Sequence, residues 1–464
     1  MKNRRKVLVI AGEFPPLKTI GRIRSAKFVQ HMRQFGWQPY VLTQDYSTSD
    51  PNYFCELEDE IPDDVKVFRV KNDVYDELLI QKVKRLVHRN HIKASESTGH
   101  TPHENTRQRR HNDALKDILL DHFKSFFKNW VHIPDDYIIW SRRAFTEALK
   151  IIDEYNIDLV YTSLPPISAC ITGYKLKLAT NLPWIVDYRD LWTGDVLREW
   201  INPLRNSYEV YLEKKLIKKA DVVISVSEQK TQYLRELHSS SRCQWVTLTN
   251  GYDSDVFEPF LKERKPTQEL DEISFVYTGR LFKNRRGYSF AEALGQIYRQ
   301  QPECVKKIRV HIYGGISPEI QERYNQILNR YEIHHLYQFH GDVSYHDAMR
   351  AQVNADYLLL IVDTGTTSDG VIPGKLFEYI ASKRPIFALC DSGATKDIIE
   401  KSNAGVVVPV ESVELCKKVL LEVLQQDTPT TLPVNQPYLS QFERLTISKK
   451  LASLFDQTVK NKAR

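Results

Sequence analysis

Long apolar runs are missing from this sequence. Nowhere are there enough consecutive hydrophobic residues for a helix to span a bilayer. Cysteine is scarce and scattered: the six residues Cys55, Cys170, Cys243, Cys304, Cys390 and Cys416 form no CxxC pair, and no histidines accompany them at zinc spacing. That pattern fits a reducing compartment and argues against a structural metal. Charge of one sign is also lacking. A net charge of +6 is modest for the length, so charge alone does not imply nucleic acid as a partner. The opening "MKNRRKVLVIAGEFPP" has an apolar core of only 7–11 before Gly12 and Glu13, too short for a secretory signal. A buried first strand and a cytoplasmic protein are expected. The loop after that strand lacks GxGxxG, the dinucleotide fingerprint, and no internal repeat is evident.

What is present is the composition of a globular protein, 42% hydrophobic and 27% charged, with 464 residues for two or three sizeable domains. The first unit reads as strand (6–11), loop (12–21), amphipathic helix (about 22–35) and strand (39–43), a βαβ signature. Strand-like runs recur at 65–70, 159–162, 184–187 and 222–226. A second series follows at 273–278, 308–313, 357–362, 386–390 and 405–409. Short apolar strands separated by amphipathic helices predict parallel sheets with helices on both faces. The fold class expected is therefore α/β, two doubly wound Rossmann-like domains. The boundary falls in the polar, charged, proline-bearing stretch 251–272. The domains are thus 1–250, 251–438 and a helical tail 439–464.

One stretch breaks the alternation. Residues 81–130 hold eleven Lys and Arg against five Asp and Glu, and six of the fourteen histidines. A polar middle, "KASESTGHTPHENTRQRRHN", separates two basic amphipathic flanks. Such flanks suit an anionic membrane surface. A solvated helical hairpin with no special role is the alternative.

The segment "DGVIPGKLFEYIASKRPIFAL", 369–389, combines loop chemistry with a helix start. Gly370, Pro373 and Gly374 end where a helix can begin. From Lys375 the apolar residues Leu376 and Ile380 share one stripe, with Phe377 and Ala381 beside it, while Lys375 and Glu378 fall on the other side. A loop of free N–H donors at a helix N-terminus attracts an anion. Lys375 adds a charge, and Glu378 can accept hydrogen bonds from hydroxyls. Phosphate plus a neighbouring diol describes a nucleotide. An ordinary turn with an i,i+3 Lys–Glu pair is the plainer alternative.

The stretches "VIAGEFPPLKTIGRIRSAKFVQHMRQFGWQPYVLT", "YTSLPPISACITGYKLK", "WIVDYRDLW", "NGYDSDVF", "YTGRLFKNRRG" and "GKLFEYIAS" occur in that order. Together they resemble the GT4-type glycosyltransferases, and among them a subgroup with an Asp-x-Arg-Asp-x-Trp element. The likeness touches most of the chain except 81–130. It implies the GT-B fold, two Rossmann-like domains facing across a cleft, and a last helix crossing back onto the first domain. It also implies metal-independent transfer of a sugar from a UDP- or GDP-sugar to a hydroxyl of a glycan or lipid-linked acceptor. Retention of anomeric configuration and a place in cell-surface polysaccharide synthesis follow by the same resemblance. No cofactor beyond the donor and no nucleic acid are expected. The protein would be cytoplasmic or peripheral on the inner membrane face, with 81–130 as the membrane contact.

Residue by residue, the resemblance implies that Arg280, Arg286 and Lys375 stabilise the leaving diphosphate, with Arg285 a rival to Arg286 because "KNRRG" is one residue longer than the family pattern. Glu378 is expected on the ribose hydroxyls. The family's first glutamate is replaced by Gly370, leaving Asp369 as the adjacent carboxylate. The backbone of Gly370, Val371, Ile372, Pro373 and Gly374 and the side chain of Lys375 would meet the phosphates. Gly21 is expected in a loop where a side chain would obstruct the diphosphate, with Arg24 a weaker candidate nearby. On the acceptor side stand Asp187, Arg189 and Asp190. Asp190 could orient or deprotonate the acceptor hydroxyl, and a structural salt bridge is the alternative for Asp187 and Arg189. Two rival readings are a nucleotide-sugar epimerase on the same fold and a non-catalytic nucleotide-sugar-binding subunit.

Overall fold

The computed structural model describes residues 4–72, 132–195, 201–264, 272–365, 367–425 and 434–462. The basic stretch 81–130 lies outside the described residues. Seven strands form the first sheet: β1 Arg5–Ala11, β2 Trp37–Asp45, β3 Lys66–Lys71, β4 Leu159–Leu164, β5 Trp184–Tyr188, β6 Val222–Ser225 and β7 Gln244–Thr247, in the order β3-β2-β1-β4-β5-β6-β7. Six strands form the second: β8 Ile273–Thr278, β9 Ile308–Tyr313, β10 Tyr337–Gly341, β11 Tyr357–Ile361, β12 Ile386–Leu389 and β13 Gly405–Val408, in the order β10-β9-β8-β11-β12-β13. The strands run parallel, with helices on both sides: two Rossmann-like units.

By compactness the first unit comprises Met1–Ile224, Arg235–Val246 and Leu451–Arg464, and the second Ser225–Leu234 and Thr247–Lys450. Central strands are buried on both faces, which is why they read as continuous apolar runs. Val7 to Ala11 of β1 are each at most 1% exposed. In the second unit the two-residue strand period divides the core cleanly. Tyr357, Leu359 and Ile361 of β11 join one cluster with Phe275 and Tyr277 of β8; Leu358, Leu360 and Val362 join the other, with Leu376 and Phe377.

Strands β7 and β10 lie at sheet edges, and the sequence reading did not find them. Their residues are half-buried or exposed, so neither carries the unbroken apolar run that marks a central strand. The proposed linker 251–272 also holds more structure than its polarity suggested. A helix, Ser254–Lys262, forms there with Pro259 inside it, and Phe257 anchors it in the second unit's core. Gly370 to Gly374 do precede a helix, Gly374–Ala381, whose Leu376, Phe377, Ile380 and Ala381 are buried as the stripe required.

The last helix, Arg444–Lys462, contributes from Leu451 onward to the first unit. Phe455 is fully buried there, edge-on to Trp37 at 5.2 Å and tilted against Tyr161 at 5.7 Å. Asp456 pairs with Arg5 at 2.8 Å. Aromatic truncation in such a position removes both transfer energy and packing. Phe455→Ala is expected to cost about 3–5 kcal/mol in urea unfolding of the whole chain. A loss below about 1 kcal/mol would mean the helix end is dispensable to the first unit.

Candidate functional site

In the second sheet the chain order reverses between β8 and β11, so the carboxyl ends of these strands flank a topological switch point, where open α/β sheets bind ligands. Strand β8 ends at Thr278, and Gly279 follows with φ +120°. A Cβ at residue 279 would stand 2.6 Å from Lys375 Nζ, so the missing side chain is what lets the amine reach the strand end. Gly314, after β9, has φ +124° and packs directly on the Gly279 backbone.

Lys375, on the first turn of the helix Gly374–Ala381, donates from Nζ to the Tyr277 hydroxyl at 2.9 Å, with the ammonium 4.1 Å from the ring centre. The Tyr277 hydroxyl in turn donates to the Arg280 carbonyl at 3.0 Å. One buried phenol thus ties the lysine to the backbone that presents Arg280. Loss of water around the amine lowers its pKa to about 7, and the neighbouring Arg285 pushes the same way, against Glu378 and Asp363. The residue as a whole is half-buried; it is the amine, held over the ring, that is desolvated.

The two arginines of "KNRRG" are set apart by geometry. Arg285 pairs with Asp363, just beyond β11, and both face the Lys375 cluster. Arg286 is exposed, its Nε bonded to the Lys283 carbonyl at 3.0 Å. The arginine brought beside Lys375 is Arg285, the rival that the resemblance left open beside Arg286. Arg280 is exposed at the rim.

Glu378 lies one turn beyond Lys375, with its oxygens accepting from Gln352 Nε2 at 3.3 Å and the Tyr345 hydroxyl at 3.4 Å. Gln352 also donates to Thr278 Oγ1 at 3.0 Å, which joins this carboxylate to the end of β8. Burial raises the Glu378 carboxyl above its usual range, against the pull of Gln352, Arg444 and Lys375. In the preceding loop the N–H groups of Gly370 and Val371 are engaged by the carbonyls of Thr367 and Ser368, at 3.3 and 3.0 Å. Of the backbone expected to meet phosphates, these two N–H groups are already engaged within the loop. Ile372 is buried and Asp369 exposed.

At the carboxyl edge of the first sheet, β5 delivers Asp187 and, beyond it, Arg189 and Asp190. Asp187 is fully buried and accepts from Arg24 Nε at 2.8 Å and Nη2 at 2.9 Å, and from the Tyr161 hydroxyl. This side-on fork leaves Asp187 structural rather than reactive. Arg24, expected as a weak ligand candidate, is its partner. Arg189 is also buried. It donates to the Leu164 carbonyl at 3.2 Å, to Glu13 at 3.0 Å and to the Pro165 carbonyl. Gly21 sits in the first turn of the helix Ile20–Met32, not in a loop, and a Cβ there would collide with the Glu13 carboxylate and the Arg189 guanidinium. Its smallness serves that ion pair. Asp190 alone of the three stands exposed.

Sequence reasoning missed Tyr277, Asp363, Gln352 and Glu13. Each looks like an ordinary strand, helix or loop residue until the fold brings its partner alongside. Among the described residues no group of three or more His, Cys, Asp or Glu side chains is arranged to hold a metal ion.

Two Rossmann-like units of parallel strands are the architecture of the GT-B glycosyltransferases. Residues 79–256 match the family model described as Glycosyltransferase Family 4, and residues 272–426 the one described as Glycosyl transferases group 1. The chain belongs to the glycosyltransferases built from these two domains. Among solved structures it is similar to a glycosyltransferase from Rickettsia africae (14% identity, TM-score 0.64, covering 99% of this chain and 100% of that one). It is also similar to a sucrose-phosphate synthase from Thermosynechococcus elongatus (14%, 0.64, 98% and 99%). A third is HepE of Anabaena in complex with UDP (15%, 0.62, 97% and 100%). No curated protein matches.

Two outcomes follow from this geometry. Asp187→Ala leaves the Arg24 guanidinium buried without its carboxylate and should cost about 3–5 kcal/mol in chemical unfolding, whereas exposed Asp190→Ala should stay within about 0.5 kcal/mol; equal losses would contradict the division. For Lys375, a folded pKa near 7 lies below the lysine's ordinary value of 10.5. Between these the unfolded chain binds the extra proton, so stability should rise with pH across that window, by at most about 1.4 kcal/mol per pH unit. Lys375→Met should flatten this component; an unchanged pH–stability curve would show that the amine titrates normally.

Proposed function

We propose that this glycosyltransferase moves a sugar from a nucleoside-diphosphate sugar, UDP- or GDP-linked, to a hydroxyl of a glycan or lipid-linked acceptor in polysaccharide synthesis, with retention at the anomeric carbon. The observation that carries the reading is the Lys375–Tyr277–Arg285 cluster at the β8/β11 switch point, one helical turn from Glu378. The HepE structure, bound to UDP, supports the donor class.

In this reading the diphosphate lies against the Lys375 amine, the helix start at Gly374 and the Arg280 guanidinium, while Glu378 accepts from the ribose hydroxyls. As the bond from the anomeric carbon to the phosphate oxygen breaks, negative charge grows on that oxygen and the cations stabilise it. The acceptor oxygen bonds to the same carbon from the same face, and its proton passes to the leaving phosphate. Asp190 orients the acceptor hydroxyl. A lysine half-neutral near pH 7 gains its proton fully when the diphosphate arrives, because an adjacent anion favours the charged form.

The test is calorimetry against UDP, GDP, ADP and their sugar conjugates. One nucleotide should bind selectively, Glu378→Ala should weaken it, and affinity should fall as pH rises above about 7 in the parent but not in Lys375→Met. Arg280→Ala should lower kcat about 10²–10³-fold with the fold intact. Absence of binding to every nucleotide would overturn the assignment of the site. Product formed without any acceptor would favour the epimerase reading.

A further inference from the structure

The helix Pro203–Ile217 of the first unit sorts its charges by side. Its two acids point inward and are fully buried. Glu209 accepts from Trp192 Nε1 at 2.8 Å and Arg205 Nε at 2.6 Å; Glu213 accepts from the Tyr188 hydroxyl at 2.9 Å and from Thr193. These bonds tie the helix to the stretch that carries Arg189 and Asp190. The outward face is of a different kind. Leu204 is 71% exposed, Tyr208 50% and Tyr211 60%, and Lys214, Lys215, Lys218 and Lys219 are exposed at the carboxyl end.

Positions 204, 208, 211, 215 and 218 recur at alternating spacings of four and three, which aligns them along one stripe. The stripe therefore runs from leucine through two tyrosines into lysine, with no acid on it. Lysines in a last turn are favoured by the helix dipole alone. That account leaves the exposed leucine and tyrosines unexplained. Tyrosine, with an apolar ring and a wet hydroxyl, suits the boundary between acyl chains and headgroups. Lysines whose stems lie along that boundary reach anionic headgroups, and no carboxylate on this face opposes them.

We propose that the outward face of the helix Pro203–Ile217 docks the protein on an anionic lipid bilayer, with Leu204, Tyr208 and Tyr211 in the interfacial layer and the four lysines on the headgroups. This surface is built from residues other than 81–130, and it needs no nucleotide to act.

Sedimentation with phosphatidylglycerol-containing vesicles, against phosphatidylcholine vesicles alone, tests it on the whole chain. The parent should pellet with the anionic vesicles at low salt and be released at high salt. Tyr208→Ser with Tyr211→Ser, and separately the four lysines changed to glutamine, should each lower the lipid affinity about tenfold or more. Because these side chains are exposed, the unfolding midpoint and nucleotide affinity should stay as in the parent, which separates lost docking from lost folding. Parent and variants pelleting alike would assign any lipid contact to another surface and overturn the proposal. Failure of the parent to bind the anionic vesicles would do the same, as would retention by a polyglutamate column without vesicle binding.

Discussion

The Lys375 amine stands where a side chain on residue 279 would have to be. Glycine at 279 leaves room there for both the backbone turn and the amine. Gly279 can leave the strand at φ +120°, Gly314 can pack against it, and the amine settles over Tyr277 instead of in water. The phenol then links lysine to the Arg280 backbone, and Arg285 with Asp363 closes the group from the other side of the switch point. Loss of water and the nearby Arg285 both disfavour the charged amine. Glu378 and Asp363 offset part of that cost, so the cluster balances two cations against two carboxylates at the strand end.

The first unit shows the converse. Asp187 and Asp190 are three residues apart, yet one is saturated by Arg24 and Tyr161 in the interior and the other meets solvent. The difference is strand geometry: Asp187 still belongs to β5 and points into the packed face, whereas Asp190 lies past the strand end. A buried ion pair holds the edge in shape, while the Asp190 carboxylate lies at the surface. The helix Pro203–Ile217 repeats this division on one element, with its glutamates gripping the Asp190 stretch and its lysines turned away from it.

Much of the fold was legible because parallel strands buried on both faces must be continuously apolar. Strands β8 and β9 fall where the apolar runs place them, and β1, β5 and β11 agree to within a residue or so at their ends. The edge strands β7 and β10 escaped, since an edge needs only one half-buried face. The site was legible where one short stretch carries it: Lys375 and Glu378 are one turn apart on a helix whose start is written in Gly370, Pro373 and Gly374. It was not legible where partners come from distant strands. Choosing between Arg285 and Arg286 required knowing which of two adjacent side chains turns toward Asp363, 78 residues along the chain.

Local pattern by itself determined the α/β class, the two series of strands and the helix that carries Lys375, because period and turn chemistry act over a few residues. Only the tertiary structure decided which charges are buried in pairs and which stay at the surface. Gly21 shows why: its neighbours Glu13 and Arg189 are brought together from either side of β4 by the sheet order, and no spacing in the chain records that approach.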